Sequence, residues 1–171
     1  MLKPMLRVNQ AGEIGANYIY MGQYQVFKND PKLEPLIKHM WDQEKLHLSK
    51  FNSLIGDYKV RPTALTPLWE LAGFTLGYVT ASMGKEAAMA CTEAVETVIG
   101  EHYNDQLRDL AEIKTEEMKE MRKTIKQFRD DELEHLETAI DHDAQKAPLH
   151  SVLTAVIQTG CKAAIYIASK V

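Results

Sequence analysis

Two segments of the chain carry the same short motif, Glu44-Lys45-Leu46-His47 and Glu132-Leu133-Glu134-His135. On a helix, residues three apart share a face, so each motif offers one carboxylate and one imidazole to the same side. Both motifs interrupt an apolar stripe. Around the first the series runs Leu33, Ile37, Met40, then Glu44 and His47, then Phe51 and Leu54. Around the second it runs Met118, Met121, Ile125, Phe128, then Glu132 and His135, then Ala139. Alternating spacings of three and four describe the core-facing side of a helix, so these acids and imidazoles are expected in the interior. A third stripe, Met89, Thr92, Glu96, Ile99, Tyr103 and Leu110, has Glu96 at its centre, and a fourth contains Glu13, Ala16, Tyr20 and Phe27.

A buried carboxylate costs several kcal/mol unless it is paired or bound to a metal. Four of them beside two imidazoles balance two divalent cations, +4 against −4. Oxygen-rich ligation with one imidazole per ion suits iron or manganese better than zinc or calcium. One Glu-x-x-His alone is commonly a solvated helix face. Two such motifs, each preceded by a helix with an inward Glu, form the ligand set of di-metal carboxylate bundles with a ferritin-like fold. The expected ligands are therefore Glu13, Glu44, His47, Glu96, Glu132 and His135. His102 and Tyr103 suit either core packing or a redox relay, Tyr103 lying two turns beyond Glu96. His142 is expected past the metals, His39 and His150 at the surface or an interface, and Glu93 exposed or just outside the ligands.

The elements that must position these residues are helical throughout. Helices are expected at about Asn9 to Lys28, from Pro31 to about Ile55, Leu68 to about Gly84, Lys85 to Leu110, Lys114 to Asp141 and Leu149 to Lys170. Asp30 is a cap followed by Pro31, where a missing N–H costs little. Arg61-Pro62, Thr66-Pro67 and Ala147-Pro148 mark the breaks. The fold expected is all-α, a four-helix bundle in one domain over residues 1–171. It is built from two helical hairpins, about 9–55 and 85–141, with apolar helices at about 68–84 and 149–170.

Composition sets outer limits. The chain has 171 residues, 45% apolar and 26% charged, and a formal net charge of −4 from 20 basic and 24 acidic residues. There is no basic footprint for nucleic acid. Cys91 and Cys161 are too far apart in sequence, and too few, for a disulfide framework or a structural zinc site. The first residues show neither a signal peptide's apolar region nor an Arg/Ser-rich transit peptide. The longest uncharged stretches, Ala147–Cys161 and Leu71–Gly84, fall short of the ~20 apolar residues of a membrane span.

Several segments resemble the demethoxyubiquinone hydroxylase family: Arg7-Val8-Asn9-Gln10-Ala11-Gly12-Glu13, Met40-Trp41-Asp42-Gln43-Glu44-Lys45-Leu46-His47, and Lys85-Glu86-Ala87-Ala88-Met89-Ala90-Cys91-Thr92. Ala94-Val95-Glu96, His102-Tyr103-Asn104 and Phe128-Arg129-Asp130-Asp131-Glu132-Leu133-Glu134-His135 extend the likeness over almost the whole chain, with details most like fungal members. The resemblance implies the same six ligands for two iron ions, with Glu44 and Glu132 bridging. Gln10 and Thr97 depart from the His and Glu of many relatives, at positions that are not ligands.

By the same resemblance the chain would hydroxylate the ring of a polyprenyl quinol in ubiquinone biosynthesis, using O2 and NADH as external reductant. No Gly-x-Gly-x-x-Gly follows a strand, so no dinucleotide domain is expected. The implied place is the matrix side of the mitochondrial inner membrane, as a peripheral protein beside a lipid-binding accessory protein. The two uncharged segments then read as a membrane-facing surface. Their alternative is a helix–helix or homo-oligomer interface, which Gly73-x-x-x-Gly77 would permit. Two other functions fit less of the pattern: a ferritin-like iron oxidase or store, and a non-catalytic lipid-binding scaffold.

Overall fold

The apolar stripes become helices with caps where the chain supplies them. A computed structural model describes residues 2–171 and contains α1 (Leu2–Phe27), α2 (Leu33–Asp57), α3 (Thr66–Ser82), α4 (Lys85–Leu110), α5 (Glu116–Asp141) and α6 (His150–Ala168). A 3-10 turn at Ala144–Lys146 joins α5 to α6, and no strand occurs among the described residues. The chain is an all-helical, ferritin-like bundle in which α1, α2, α4 and α5 enclose the interior.

Asp30 accepts from the backbone N–H groups of Lys32 and Leu33 at 2.8 and 3.0 Å, so it caps α2 although regular helix begins only at Leu33. Thr115 caps α5 by accepting from Met118 N–H at 3.3 Å. α1 starts seven residues before the expected Asn9, at Leu2. Pro4 lies in its first turn, where the backbone N–H has no helical acceptor, and so does not break it.

The interior is layered. At one end Leu6, Phe51, Leu110, Ile125 and Phe128 form an apolar block, and at the other Phe27, Ile37, Met40, Met89 and Ala139 form a second. The buried acids and imidazoles of the four long helices belong to the same stripes as these blocks.

α3 shows how the uncharged segments are used. One face packs on α1 with almost no separation: a Cβ built at Gly77 would stand 2.0 Å from the Ile19 carbonyl oxygen, and one at Gly73 would stand 2.6 Å from that of Gly15. Gly22 of α1 meets the Phe74 carbonyl in the same way, at 2.4 Å. The Gly73/Gly77 pair therefore serves a contact within the chain. The opposite face of α3 is open, with Leu71 67% exposed and Val79 49% exposed.

α6 lies along α4, burying Ile157 there, and leaves Val152, Val156 and Tyr166 exposed. It has 19 residues, continues past Lys162, and contains an 18-residue window of mean hydropathy 1.3, so by length and composition the helix reaches the lower bound of a membrane span. The uncharged stretch alone had fallen short of that bound. Leu149, at φ +52°, sets the angle at which α6 leaves Pro148.

Replacing Gly77 by Ala should push α3 from α1. Overpacking against backbone costs about 1–3 kcal/mol, lowering Tm by roughly 2–4 °C per kcal/mol in a chain this size. A thermal melt checks it; an unchanged Tm would mean that the two helices can separate freely.

Candidate metal centre

All six expected ligands are buried, and they converge midway along the bundle. Glu13 comes from α1, Glu44 and His47 from α2, Glu96 from α4, and Glu132 and His135 from α5. They fall into two groups, Glu13–Glu44–His47–Glu132 and Glu44–Glu96–Glu132–His135, within each of which the ligand atoms lie no more than 4.8 Å apart. Glu44 and Glu132 belong to both. Glu132 faces both ways: Oε1 is 3.2 Å from His47 Nδ1, and Oε2 is 3.2 Å from His135 Nδ1.

The outer side of each imidazole is tied down. His47 Nε2 lies 3.0 Å from Asp131 Oδ2, and His135 Nε2 lies 2.9 Å from Gln43 Oε1. Both partner atoms are acceptors, so each Nε2 carries its proton and donates, which turns Nδ1 inward as the atom free to ligate. The outer Glu residues are held too. Tyr20 Oη donates to Glu96 Oε1 at 2.7 Å, and Tyr103 Oη donates to Glu13 Oε1. Burial, reinforced by the adjoining carboxylate, raises both phenols well above their usual range, so both stay protonated as donors.

What remains is a set of inward atoms without a hydrogen-bonding partner: Glu13 Oε2, both oxygens of Glu44, Glu96 Oε2, both oxygens of Glu132, and Nδ1 of His47 and His135. Buried polar atoms are ordinarily satisfied. Eight orphaned lone-pair donors, six oxygen and two nitrogen, all facing one space, fit two hard-to-borderline divalent cations.

Protons otherwise balance the charge. Burial, aided by the charge of Glu132, drives Glu44 far above the usual carboxylate range, and the same causes raise Glu96 to about 7. Burial opposes ionisation of Glu132, but the imidazoles of His135 and His47 at 3.2 Å overcome it and hold the group at about 2. Burial would likewise lower His47, yet its contacts with Glu13 and Glu132 raise it to about 12. His135 moves upward against burial for the same reason, through Glu132, Glu44 and Glu96.

The other singled-out residues take definite places. Tyr103 reaches across to Glu13 on the opposite helix. His102 does not bond to Tyr103, the ring centroids being 6.2 Å apart. Its Nε2 instead meets Asn9 Oδ1 at 3.2 Å and Gln106 Nε2 at 2.6 Å. His142 bonds the Thr138 carbonyl at the end of α5, and His39 is exposed near Glu134. His150 and Glu93 pair with each other at 2.7 Å, fastening α6 to α4.

Three partners escaped the sequence reading: Tyr20, Gln43 and Asp131. The signal was present in each case. Tyr20 follows Glu13 by seven residues as Tyr103 follows Glu96, and Gln43 and Asp131 occupy the position just before the Glu of each motif.

An apolar cavity of about 420 Å³ runs between α1, α3, α4 and α6, with Asn9, Glu13, His102 and Tyr103 as the polar side chains among its mostly apolar lining. Among the six candidate ligands only Glu13 lines it.

The family described as ubiquinone biosynthesis protein COQ7 matches residues 1–168 of the chain. A mouse protein named NADPH-dependent 3-demethoxyubiquinone 3-hydroxylase, mitochondrial, is 54% identical over 97% of this chain and 76% of its own length. The yeast 5-demethoxyubiquinone hydroxylase, mitochondrial, is 51% identical over 99% of this chain and 78% of its own. A 3-demethoxyubiquinol 3-hydroxylase from Rhodospirillum rubrum is 42% identical over the full chain and 79% of its own length.

Because a cation entering this centre must displace protons from Glu44, His47 and His135, its affinity should rise with pH. Titrating metal-free protein with Mn(II) at about pH 6 and about pH 8 should give the tighter binding at the higher pH, with proton release. Affinity that did not change with pH would mean that these groups do not ligate.

Proposed function

The chain belongs to the ubiquinone biosynthesis protein COQ7 family, and from that premise we propose that it is a di-iron hydroxylase of the demethoxy ring of a polyprenyl quinol. One observation carries this reading. The apolar cavity reaches the edge of a carboxylate–imidazole cluster able to hold two metal ions. A polyprenyl quinol requires that pairing, an apolar sleeve for its tail that ends on a polar redox centre.

In the net reaction one atom of O2 enters a ring C–H bond as hydroxyl and the other leaves as water. Two electrons and two protons come from outside. The mouse relative's name specifies NADPH where the resemblance had implied NADH; in this reading a reduced nicotinamide is the external source. Glu13, Glu44, His47, Glu96, Glu132 and His135 are the ligands, with Glu44 and Glu132 shared. When bound there, two iron ions supply the reductive activation of O2.

The protein's own work is ligation, orientation and exclusion of water. The cavity walls, Ala16, Ile19, Leu76, Val95 and Ile157 among them, are apolar and keep the ring's surroundings dry. Asn9 and His102, bonded to each other, are polar groups of the cavity lining that a quinol's oxygens could meet. Burial lowers the pKa of His102, which leaves its imidazole neutral and able to accept a proton from a ring hydroxyl. Tyr103 holds Glu13 in place, and with His102 forms a candidate relay between the ring and the centre.

The cleft between α3 and α6 is the entrance for the tail. In this reading the exposed apolar faces of both helices rest on a lipid leaflet. Mitochondrial names of the relatives support a place at the inner membrane, which we assign to its matrix face. A lipid-binding accessory protein or a second copy of the chain would use the same faces. The two hairpins, α1–α2 and α4–α5, act as repeats within one domain.

Glu44→Ala or Glu132→Ala should lose metal and more than ~100-fold in turnover, since each removes a shared ligand and a compensating charge. Metal analysis with chromatographic detection of the hydroxylated quinol checks this; full activity would remove that residue from the centre.

Val79→Asp and Val152→Asp should weaken co-flotation with phosphatidylcholine vesicles while metal content stays normal. Undiminished flotation would send the apolar faces to a protein partner instead.

A further inference from the structure

The two halves follow one plan with two differences, the first being that Glu44 Oε1 stands 3.3 Å from His135 Nδ1 with no matching contact to His47. Each half has its own Glu and His and shares Glu44 and Glu132. Each outer Glu is held by a tyrosine hydroxyl from the opposite helix, Tyr103 on Glu13 and Tyr20 on Glu96. These contributions cancel when the halves are compared. The imidazole partners do not cancel. His47 donates to the carboxylate of Asp131 at 3.0 Å, and His135 donates to the neutral amide of Gln43 at 2.9 Å. Both partners come from the residue before a motif's Glu and cross to the other helix, so the difference is chemical rather than positional.

A carboxylate behind an imidazole makes the ring a stronger donor and adds a negative charge near the cation. An amide oxygen fixes the ring but adds no charge. Asp131 therefore favours a cation at the Glu13–His47 half, which is also the half whose Glu lines the apolar cavity. Glu96 lies behind Tyr20, away from it.

We infer that the two metal positions are unequal by construction, the cavity-side position at Glu13 and His47 being the tighter because Asp131 gives His47 an anionic partner where Gln43 gives His135 a neutral one. This rests on the metal reading above. Asp131 is a positioning residue: it acts through His47 and touches neither substrate nor cation. The half that borders the apolar cavity through Glu13 would then be the one that holds its ion more firmly.

The experiment is an anaerobic titration of the metal-free chain with Co(II), followed by calorimetry and by visible absorbance, with circular dichroism to check folding. The wild-type chain should take up two equivalents in two steps, the first about 10–100-fold tighter. Glu13→Gln should abolish the tight step and Glu96→Gln the weak one. Asp131→Asn, nearly isosteric, should weaken the tight step alone and draw the two together. Gln43→Glu should strengthen the weak step, a gain that lost packing could not produce. Two indistinguishable steps in the wild-type chain, or an Asp131→Asn effect spread equally over both, would overturn this inference while leaving the metal reading intact. No uptake by folded wild-type protein would overturn that reading, and this inference with it.

Discussion

Four carboxylates in the middle of an apolar bundle are the constraint from which the rest of the molecule follows. Glu13, Glu44, Glu96 and Glu132 are almost wholly removed from water, and no arrangement of helices makes that favourable by packing alone. Their charge must be met from inside. The two imidazoles do so by taking protons, which explains why Glu132, between them, is held acidic while Glu44, without an imidazole at both oxygens, is driven the other way. The same lone pairs that gather protons are the ones a divalent cation requires. Apolar blocks at both ends, one around Phe51 and Phe128 and the other around Met40 and Met89, contribute burial that offsets part of this cost.

Precision comes from the helices being locked to one another by the groups around the ligands. Tyr20 on α1 bonds an acid on α4, and Tyr103 on α4 bonds an acid on α1. Asp131 on α5 fixes an imidazole on α2, and Gln43 on α2 fixes one on α5. Every helix that bears a candidate ligand thus holds a candidate ligand of a neighbour. A shift of one helix by even a fraction of a turn would break two such bonds, not one. Function demands this coupling, because a site ~1 Å too loose loses its preorganised geometry.

Much of this was legible in the residues. All seven members of the α5 stripe, Met118 to Ala139, are buried, and α4 spans Lys85–Leu110 as its sequence indicates. The six acids and imidazoles were identifiable because charged residues inside an apolar stripe contradict the local pattern. The cross-helix partners were not identifiable by that means. Tyr20 fits an apolar stripe without contradiction, and Asp131 and Gln43 lie at its edge among other polar residues, where nothing in one helix's periodicity marks them. Their roles depend on which helix stands opposite. The same limit hid the purpose of Gly73 and Gly77, whose spacing suits a contact between copies as well as the contact with α1 that the fold makes.

The two apolar helices and the inequality of the centre belong to one spatial order. α3 is pressed on α1 through glycines, which brings the cavity wall close to Glu13 rather than to Glu96. α6 is fastened to α4 at its start by His150 and Glu93 and lines the other side of the same cavity. The cavity between these helices has mostly apolar walls, is lined also by Asn9 and His102, and among the candidate ligands touches only Glu13. It meets Glu13, held by Tyr103, and does not meet Glu96, held by Tyr20, so one half alone borders the apolar space, and Asp131 places its carboxylate behind the imidazole of that same half.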